Sequence, residues 1–315
     1  MKFQSYFKIN LVLSLLVLAS CSTNKNLAKT KDSAAAAYQP LEKSLLWEIS
    51  GNGLKTSSYL FGTIHLIGKD DFFFPKTLED KITLAERATF EIDMDEMSSM
   101  ESMFKIIGKA FMKDGMTLKD LVTDKEYEAI ETHFKDKGLP LQLLDRMKPM
   151  LLATFASMDM GDGGMADTKS YEMEIFAKVN EQKKPSDGLE SVEDQLALFD
   201  SIPYKAQAQM LVESIKASNE ENEEYKMLID LYKKQDIETL AKVSVDEKDS
   251  GLGGYGDLFL YQRNKNWIPH FARMMGEKST FFAVGAGHLG GPKGVIQLLK
   301  KAGYKVMPVK MGLGA

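Results

Sequence analysis

The sequence predicts an α/β (α+β) fold with two strand-rich ends separated by a large helical insertion. Three observations carry this expectation. Residues 280–284 have the aromatic and β-branched content of a buried strand and stop at Gly285-Ala286-Gly287-His288. Residues 58–61 read as a second strand that runs into Gly62-Thr63-Ile64-His65, so two of the four histidines stand at strand tips in the same Gly-x-x-His turn. Between them, from about residue 97 to residue 240, apolar residues recur at helical spacing.

The folded part begins near Leu45. Residues 45–50, a turn at Gly51-Asn52-Gly53 and residues 57–61 predict a β-hairpin, because glycine and asparagine tolerate the positive φ of such turns. After His65 come an aromatic loop, Phe72-Phe73-Phe74-Pro75, and a helix over 77–87 with Leu78, Ile82 and Ala85 on its inner face. Residues 88–92 then form a strand carrying Glu91 near its end, followed by Asp93 and Asp95.

The insertion reads as helices over 98–112, 123–137, 141–158, 169–181, 192–200, 203–218 and 221–234. Breaks fall at Gly115, Gly138-Leu139-Pro140, 161–164, Lys184-Pro185 and Ile202-Pro203. Met97, Met100, Met103, Phe104, Ile107, Phe111 and Met112 make one apolar stripe, either core filler or the lining of an adaptable groove. His133, in a charged segment, reads as helix surface. The run 251–256, GLGGYG, reads as a hinge, since it lacks the lysine and hydroxyl residue of a phosphate-binding loop. A helix over 257–275 presents Arg263, Asn264 and Trp267 as a compact patch, with His270 a core or surface histidine. Gly290-Gly291-Pro292 places proline for a first helical position. Val295, Ile296, Leu298, Leu299 and Ala302 follow on one face, Gly303 caps the helix, and residues 304–309 return as a strand.

Composition bounds the rest. Hydrophobic residues are 44% and charged residues 27% of the 315, ordinary for a globular protein, and a net charge of −5 gives no nucleic-acid surface. The single cysteine, Cys21, excludes an intramolecular disulfide or a cysteine metal cluster. Lys2 and Lys8, an apolar stretch over 9–18 and Leu18-Ala19-Ser20-Cys21 resemble a bacterial lipoprotein signal, with cleavage before Cys21 and lipidation of it. Ser22 favours the outer membrane by the same likeness. The expected organisation is a signal peptide over 1–20, a flexible tether over 21–44 and one folded domain over 45–315.

His65, His288, Glu91 and Arg263 are the candidate site. Two imidazoles and a carboxylate suit a divalent transition metal that leaves a position open to water, and an arginine beside them suits a developing oxyanion. A histidine at a strand end can equally bond a loop, and Glu91 can be one acid in an ordinary acidic run. Neither H-E-x-x-H nor G-x-S-x-G occurs, so the familiar zinc-protease and serine-hydrolase patterns find no support.

The segments SYLFGTIHL (58–66), TFEID (89–93), GLESVEDQLALFDSIP (188–203), RNKNW (263–267) and AVGAGHLGGPKGVIQLLKKAGYKV (283–306) together resemble the TraB/PrgY/GumN family, whose animal relatives are the Tiki proteases. The resemblance implies two related strand-rich halves whose paired Gly-x-x-His turns share one central sheet. It also implies a metal held by His65, His288 and Glu91, with Arg263 and Asn264 as the family's Arg-Asn pair and Glu190 supporting the site or positioning substrate. The activity so implied is a metal-dependent hydrolase, a peptidase using manganese, cobalt or zinc on a peptide or protein substrate. The other reading is a non-catalytic lipoprotein that binds a peptide or a hydrophobic ligand. The polar segment Lys184-Pro185-Ser186-Asp187 departs from the family's apolar strand and predicts only a short edge strand before Glu190.

Overall fold

The computed structural model describes residues 38–97, 100–157, 167–218, 223–245 and 254–312. The leader, Cys21, most of the tether, the 161–164 break and the first half of the 251–256 run lie outside the described residues. Eight strands occur among them: β1 (Leu46–Ser50), β2 (Ser58–Thr63), β3 (Ile67–Gly68), β4 (Arg87–Ile92), β5 (Thr168–Lys169), β6 (Ser186–Glu190), β7 (Thr280–Gly285) and β8 (Lys305–Pro308). Six of them make one mixed sheet in the order β6-β4-β7-β2-β1-β8, and β3 pairs with β5 in a small ribbon.

The predicted hairpin forms, with β1 antiparallel to β2 and positive φ at Gly51, Asn52 and Gly53. The other central pairings, β2 with β7, β7 with β4 and β4 with β6, are all parallel. The carboxyl ends of four strands therefore share one edge of the sheet. In such sheets this is where ligands collect, because the loops there diverge and leave a crevice. β2 is buried along its whole length and β7 nearly so, which explains their uninterrupted apolar runs. β6, with sequence SDGLE, is the polar edge strand that was predicted.

The sheet's core joins Trp47, Phe61, Phe90, Phe281 and Phe282 to Trp267 and Phe271 of the helix Arg263–Glu277, with the rings of Phe271 and Phe282 stacked at 4.0 Å. A separate helical core within the insertion gathers Leu118, Ile130, Phe134, Leu152, Leu211 and Ile215. The span 97–240 is thus mostly helical where described, but it also returns β6 to the sheet.

Several elements differ from expectation. The helix expected over 141–158 is two, Leu141–Leu144 and Pro149–Ser157, because Pro149 cannot continue a helix but starts one well. Pro292 does not begin a helix. It sits in a turn ahead of Val295–Lys301, whose N-cap is Gly294. The helix expected over 257–275 opens with a wide turn of π type, Asp257–Gln262, and passes through Pro269. Of the stripe in the first insertion helix, Met112 is buried, but Phe104, Ile107 and Phe111 are exposed and are not core filler. The side chains of Met97, Met100 and Met103 lie outside the described ones. His133 is half-buried and bonds the carbonyl of Ala156 at 3.1 Å, so it is not free helix surface.

Candidate functional site

Each of the four parallel strands delivers one polar group to the shared edge: Glu190 ends β6, Glu91 lies one residue before the end of β4, His288 follows β7 and His65 follows β2. The two histidine turns can lie side by side because Gly62 has no side chain. A Cβ there would stand 3.1 Å from both Cα and Cβ of Ala286 and 3.0 Å from a Leu289 methyl group. Close backbone approach, and not a strained φ, is the reason for that glycine.

Arg263 is the centre of the polar network. Its Nε donates to Glu190 Oε1 at 2.9 Å, Nη2 donates to both Glu190 and Glu91, and Nη1 donates to the Phe259 carbonyl at 3.1 Å and to His288 Nε2 at 3.3 Å. All five N–H groups of the guanidinium are engaged. Its flat face lies 4.8 Å from the Trp267 ring, and Trp267 Nε1 donates in turn to Glu190 Oε2 at 3.0 Å. Gln195 donates to Glu190 Oε1 at 2.8 Å.

The orientation of Asn264 fixes the tautomer of His288. Asn264 Nδ2 donates to the carbonyls of His288, at 3.2 Å, and Lys293, at 3.1 Å, so its Oδ1 faces His288 Nδ1 at 2.6 Å. Nδ1 therefore carries the proton and Nε2 carries the lone pair. Burial drives the His288 pKa down to about 3, against the pull of Glu91, so the ring is neutral at neutral pH. Burial also opposes charge on Glu91, but Arg263, with His65 and the Gly285 N–H at 2.8 Å, outweighs it and holds the carboxyl well below the usual range.

His288 Nε2 and Glu91 Oε1 face each other at 3.7 Å. With the proton on Nδ1, both are acceptors, served here by Arg263 Nη1 at 3.3 Å and by the Gly285 N–H at 2.8 Å, and a cation between them would compete with the longer of those bonds. His65 opens on the same cavity, but its Nδ1 is held by Glu172 Oε1 at 3.1 Å. That bond is the main cause of a His65 pKa raised to about 9. Among the described residues, no three His, Cys, Asp or Glu side chains form a closed group able to hold a metal. The expected triad is thus a facing pair plus a histidine turned toward its own carboxylate. In donor chemistry the set fits a divalent ion: one lone-pair imidazole, one ionised carboxylate and, beside them, a second imidazole that is protonated at neutral pH and would have to give up its Nε2 proton to bind.

A cavity of about 470 Å³ borders Glu91, Arg263, His65 and His288 and is otherwise mainly apolar. Arg263 also lines a second, polar cavity with Asp93, Glu96, Glu190, Asp194 and His270, so it is common to both. No methionine lines the apolar cavity among the described residues, so it is not the methionine-lined groove that was the alternative reading of that stripe. Sequence reasoning missed Glu172 and Gln195. Glu172 accepts from Thr63 at 2.7 Å as well as engaging His65, yet it sits in an ordinary helix start, Ser170-Tyr171-Glu172, with no motif to mark it.

Fold and site together define a mixed α/β protein in which paired Gly-x-x-His turns meet a carboxylate-clamped arginine at the carboxyl ends of parallel strands. The chain belongs to the TraB/PrgY/gumN family, whose model matches residues 45–308. It is similar to a Danio rerio protein named Metalloprotease TIKI1, 21% identical over 314 residues that cover 84% of this chain and 62% of that one. It is also similar to a Nematostella vectensis protein named Metalloprotease TIKI homolog, at 22% over 328 residues, covering 85% and 67%. The alignments thus span less than two thirds of the first relative's length and 67% of the second's. No solved structure gives a significant match.

Proposed function

We propose that this protein is a metal-dependent hydrolase acting on peptide bonds, tethered to the bacterial envelope, at the outer membrane, by a lipid on Cys21. The observation that carries the activity is the facing pair His288 Nε2 and Glu91 Oε1 at the carboxyl edge of the sheet, on the wall of an open cavity. The relatives' printed names support the same reading. On this reading His65, His288 and Glu91 would hold a divalent manganese, cobalt or zinc ion. When bound, such an ion would polarise a carbonyl and lower the pKa of its water, to about 7 in the case of zinc.

The chain's own groups do the remaining work. Asn264 keeps the His288 proton on Nδ1, and Gly285 and Arg263 keep Glu91 ionised. Glu172 and Thr63 fix the ring of His65. The longest of the five Arg263 bonds ends on His288 Nε2, the lone pair a ligand bond would use. Of the Arg263 donors, this Nη1–H is the one that would be free to face a substrate oxygen and stabilise its developing charge if His288 served as a ligand. Glu190 and Trp267 keep the guanidinium in place meanwhile.

Elemental analysis after loading with manganese, cobalt or zinc and desalting tests this, with His65→Ala and His288→Ala beside the wild type. The expected result is about one metal per chain in the wild type, as for a single three-ligand catalytic site. Both variants should lose it with unchanged circular dichroism, and a peptide pool should be cleaved only by the loaded wild type. Peptide binding with neither metal nor turnover would instead establish the non-catalytic binder, a reading favoured by the fully engaged donors of Arg263. For the tether, Cys21→Ser should abolish palmitate labelling and release the protein from the membrane fraction; unchanged labelling would overturn that part.

A further inference from the structure

Resting on that reading, we infer that the apolar cavity is a specificity pocket for one large apolar side chain of the substrate peptide, adjoining the bond presented to His288 and Glu91. The cavity has a polar end, formed by the groups already described, and an apolar body walled by Ile64, Leu228, Leu240, Val243, Phe259 and Leu260. At about 470 Å³ it falls in the lower half of the range of ligand pockets, roughly 300–1,000 Å³, a size for one or two side chains and not for a long lipid.

The polar atoms on the wall decide the chemistry. Tyr232 OH donates to the Gly62 carbonyl at 2.9 Å, Thr63 Oγ1 donates to Glu172 at 2.7 Å, and Ser244 Oγ donates to the Leu240 carbonyl at 2.8 Å. Each hydroxyl proton is spent inside the protein. A carboxylate or amide oxygen entering the apolar body would lose water and find no hydroxyl proton free to donate to it, and an ammonium would lose water for weak hydroxyl acceptors without a carboxylate in that body, whereas leucine, methionine or phenylalanine would gain by burial. The wide turn at Asp257–Gln262 contributes Phe259 and Leu260 to this wall just before Arg263, so the apolar body and the polar end are built by one continuous segment. A peptide backbone at the polar end would therefore direct its neighbouring side chain inward.

The test uses the whole protein, loaded with manganese, cobalt or zinc, and peptides that differ at one position only: Leu, Phe, Met, Ala, Lys or Asp. Cleavage is mapped by mass spectrometry, and equilibrium binding is measured separately on versions with a reduced, uncleavable peptide bond. We expect at least tenfold preference for Leu, Met or Phe over Ala at one position adjoining the cut, and still greater discrimination against Lys and Asp. Val243 and Leu228 are half-buried cavity-wall residues, so Val243→Phe and Leu228→Phe narrow the pocket from two sides and should each shift the preference at least tenfold toward Ala. Leu228→Ala widens it and should favour Phe. Apolar preference in binding without cleavage would uphold the pocket and refute the peptidase. Cleavage without preference, a preference unmoved by all three folded variants, or neither binding nor cleavage would overturn the pocket.

Discussion

His65 owes its orientation to a residue 107 positions away in sequence. Glu172 is to His65 what Asn264 is to His288: each takes the Nδ1 side of a ring and leaves Nε2 for a further partner. Partners of this kind, removed from a metal-binding histidine, typically cost 10- to 100-fold in metal affinity. Glu172→Ala should therefore weaken metal binding by roughly that factor, measured by competition with a chelator, while circular dichroism stays unchanged. Unaltered affinity would make Glu172 a loop contact only. Gly62→Ala tests the contact between the two turns. Its Cβ would press on the backbone of Ala286, an overpacking that costs about 1–3 kcal/mol in a close-packed interior. Metal affinity should fall with Tm, because Ala286 lies two residues before His288. Equal wild-type values for both would refute the close-approach role. His65, His288, Glu91 and Arg263 were legible because strand tips and a buried helix face place side chains predictably. Glu172 was not, since nothing local distinguishes it from any acid in a first helical turn.

At the scale of elements, the helix Ile237–Val243 is the instructive one. It supplies Leu240 and Val243 to the cavity and was absent from the sequence reading, which ended the insertion at 240. Its signal was present: buried Ile237, Leu240 and Ala241 at helical spacing, with Asp236 as N-cap. Seven residues give too few turns for that spacing to stand out against the loop around it. Asp236 Oδ1 accepts from the Thr239 N–H at 3.1 Å and Oδ2 pairs with Lys43 at 2.8 Å. Burial opposes its charge, but Lys43 and Thr239 prevail and lower its pKa. A carboxyl with a depressed folded pKa stabilises fully above its unfolded value and loses that stability as pH falls through the folded one. Asp236→Ala should therefore cost about 1 kcal/mol at pH 7, the usual worth of an N-cap. In urea titrations the gap from wild type should narrow once the medium is acidic enough to protonate Asp236. A gap independent of pH would exclude the carboxylate as its source. The strands were easier to read, because glycine turns and aromatic, β-branched runs mark β1, β2 and β7 locally. Pro149 and Pro292 were harder, since proline opens a helix in one place and a turn in the other, and only the packing decides which.

The whole molecule has its central sheet tied together from both ends of the folded chain and a second core of its own inside the insertion. β7, the strand bearing His288, is inserted between β2 and β4, so the site cannot form until the last quarter of the chain has joined the first. The insertion core, by contrast, is completed by neighbours within 118–215, and its helices Pro149–Ser157 and Tyr204–Ser218 pack on each other. It approaches the cavity through a small third cluster, where Phe199 lies 6.1 Å from Phe259. Such an arrangement lets one core open without the other. Phe134 is fully buried in the insertion core, and Phe134→Ala should cost about 3–5 kcal/mol there by leaving a cavity. Hydrogen exchange read by mass spectrometry should then rise across 118–157 and 204–218 while the amides of β2, β6 and β7 stay protected and metal affinity holds. Equal loss of protection in β2 and β7 would mean that the two cores unfold as one, and that the insertion is part of the frame that keeps His65 and His288 together.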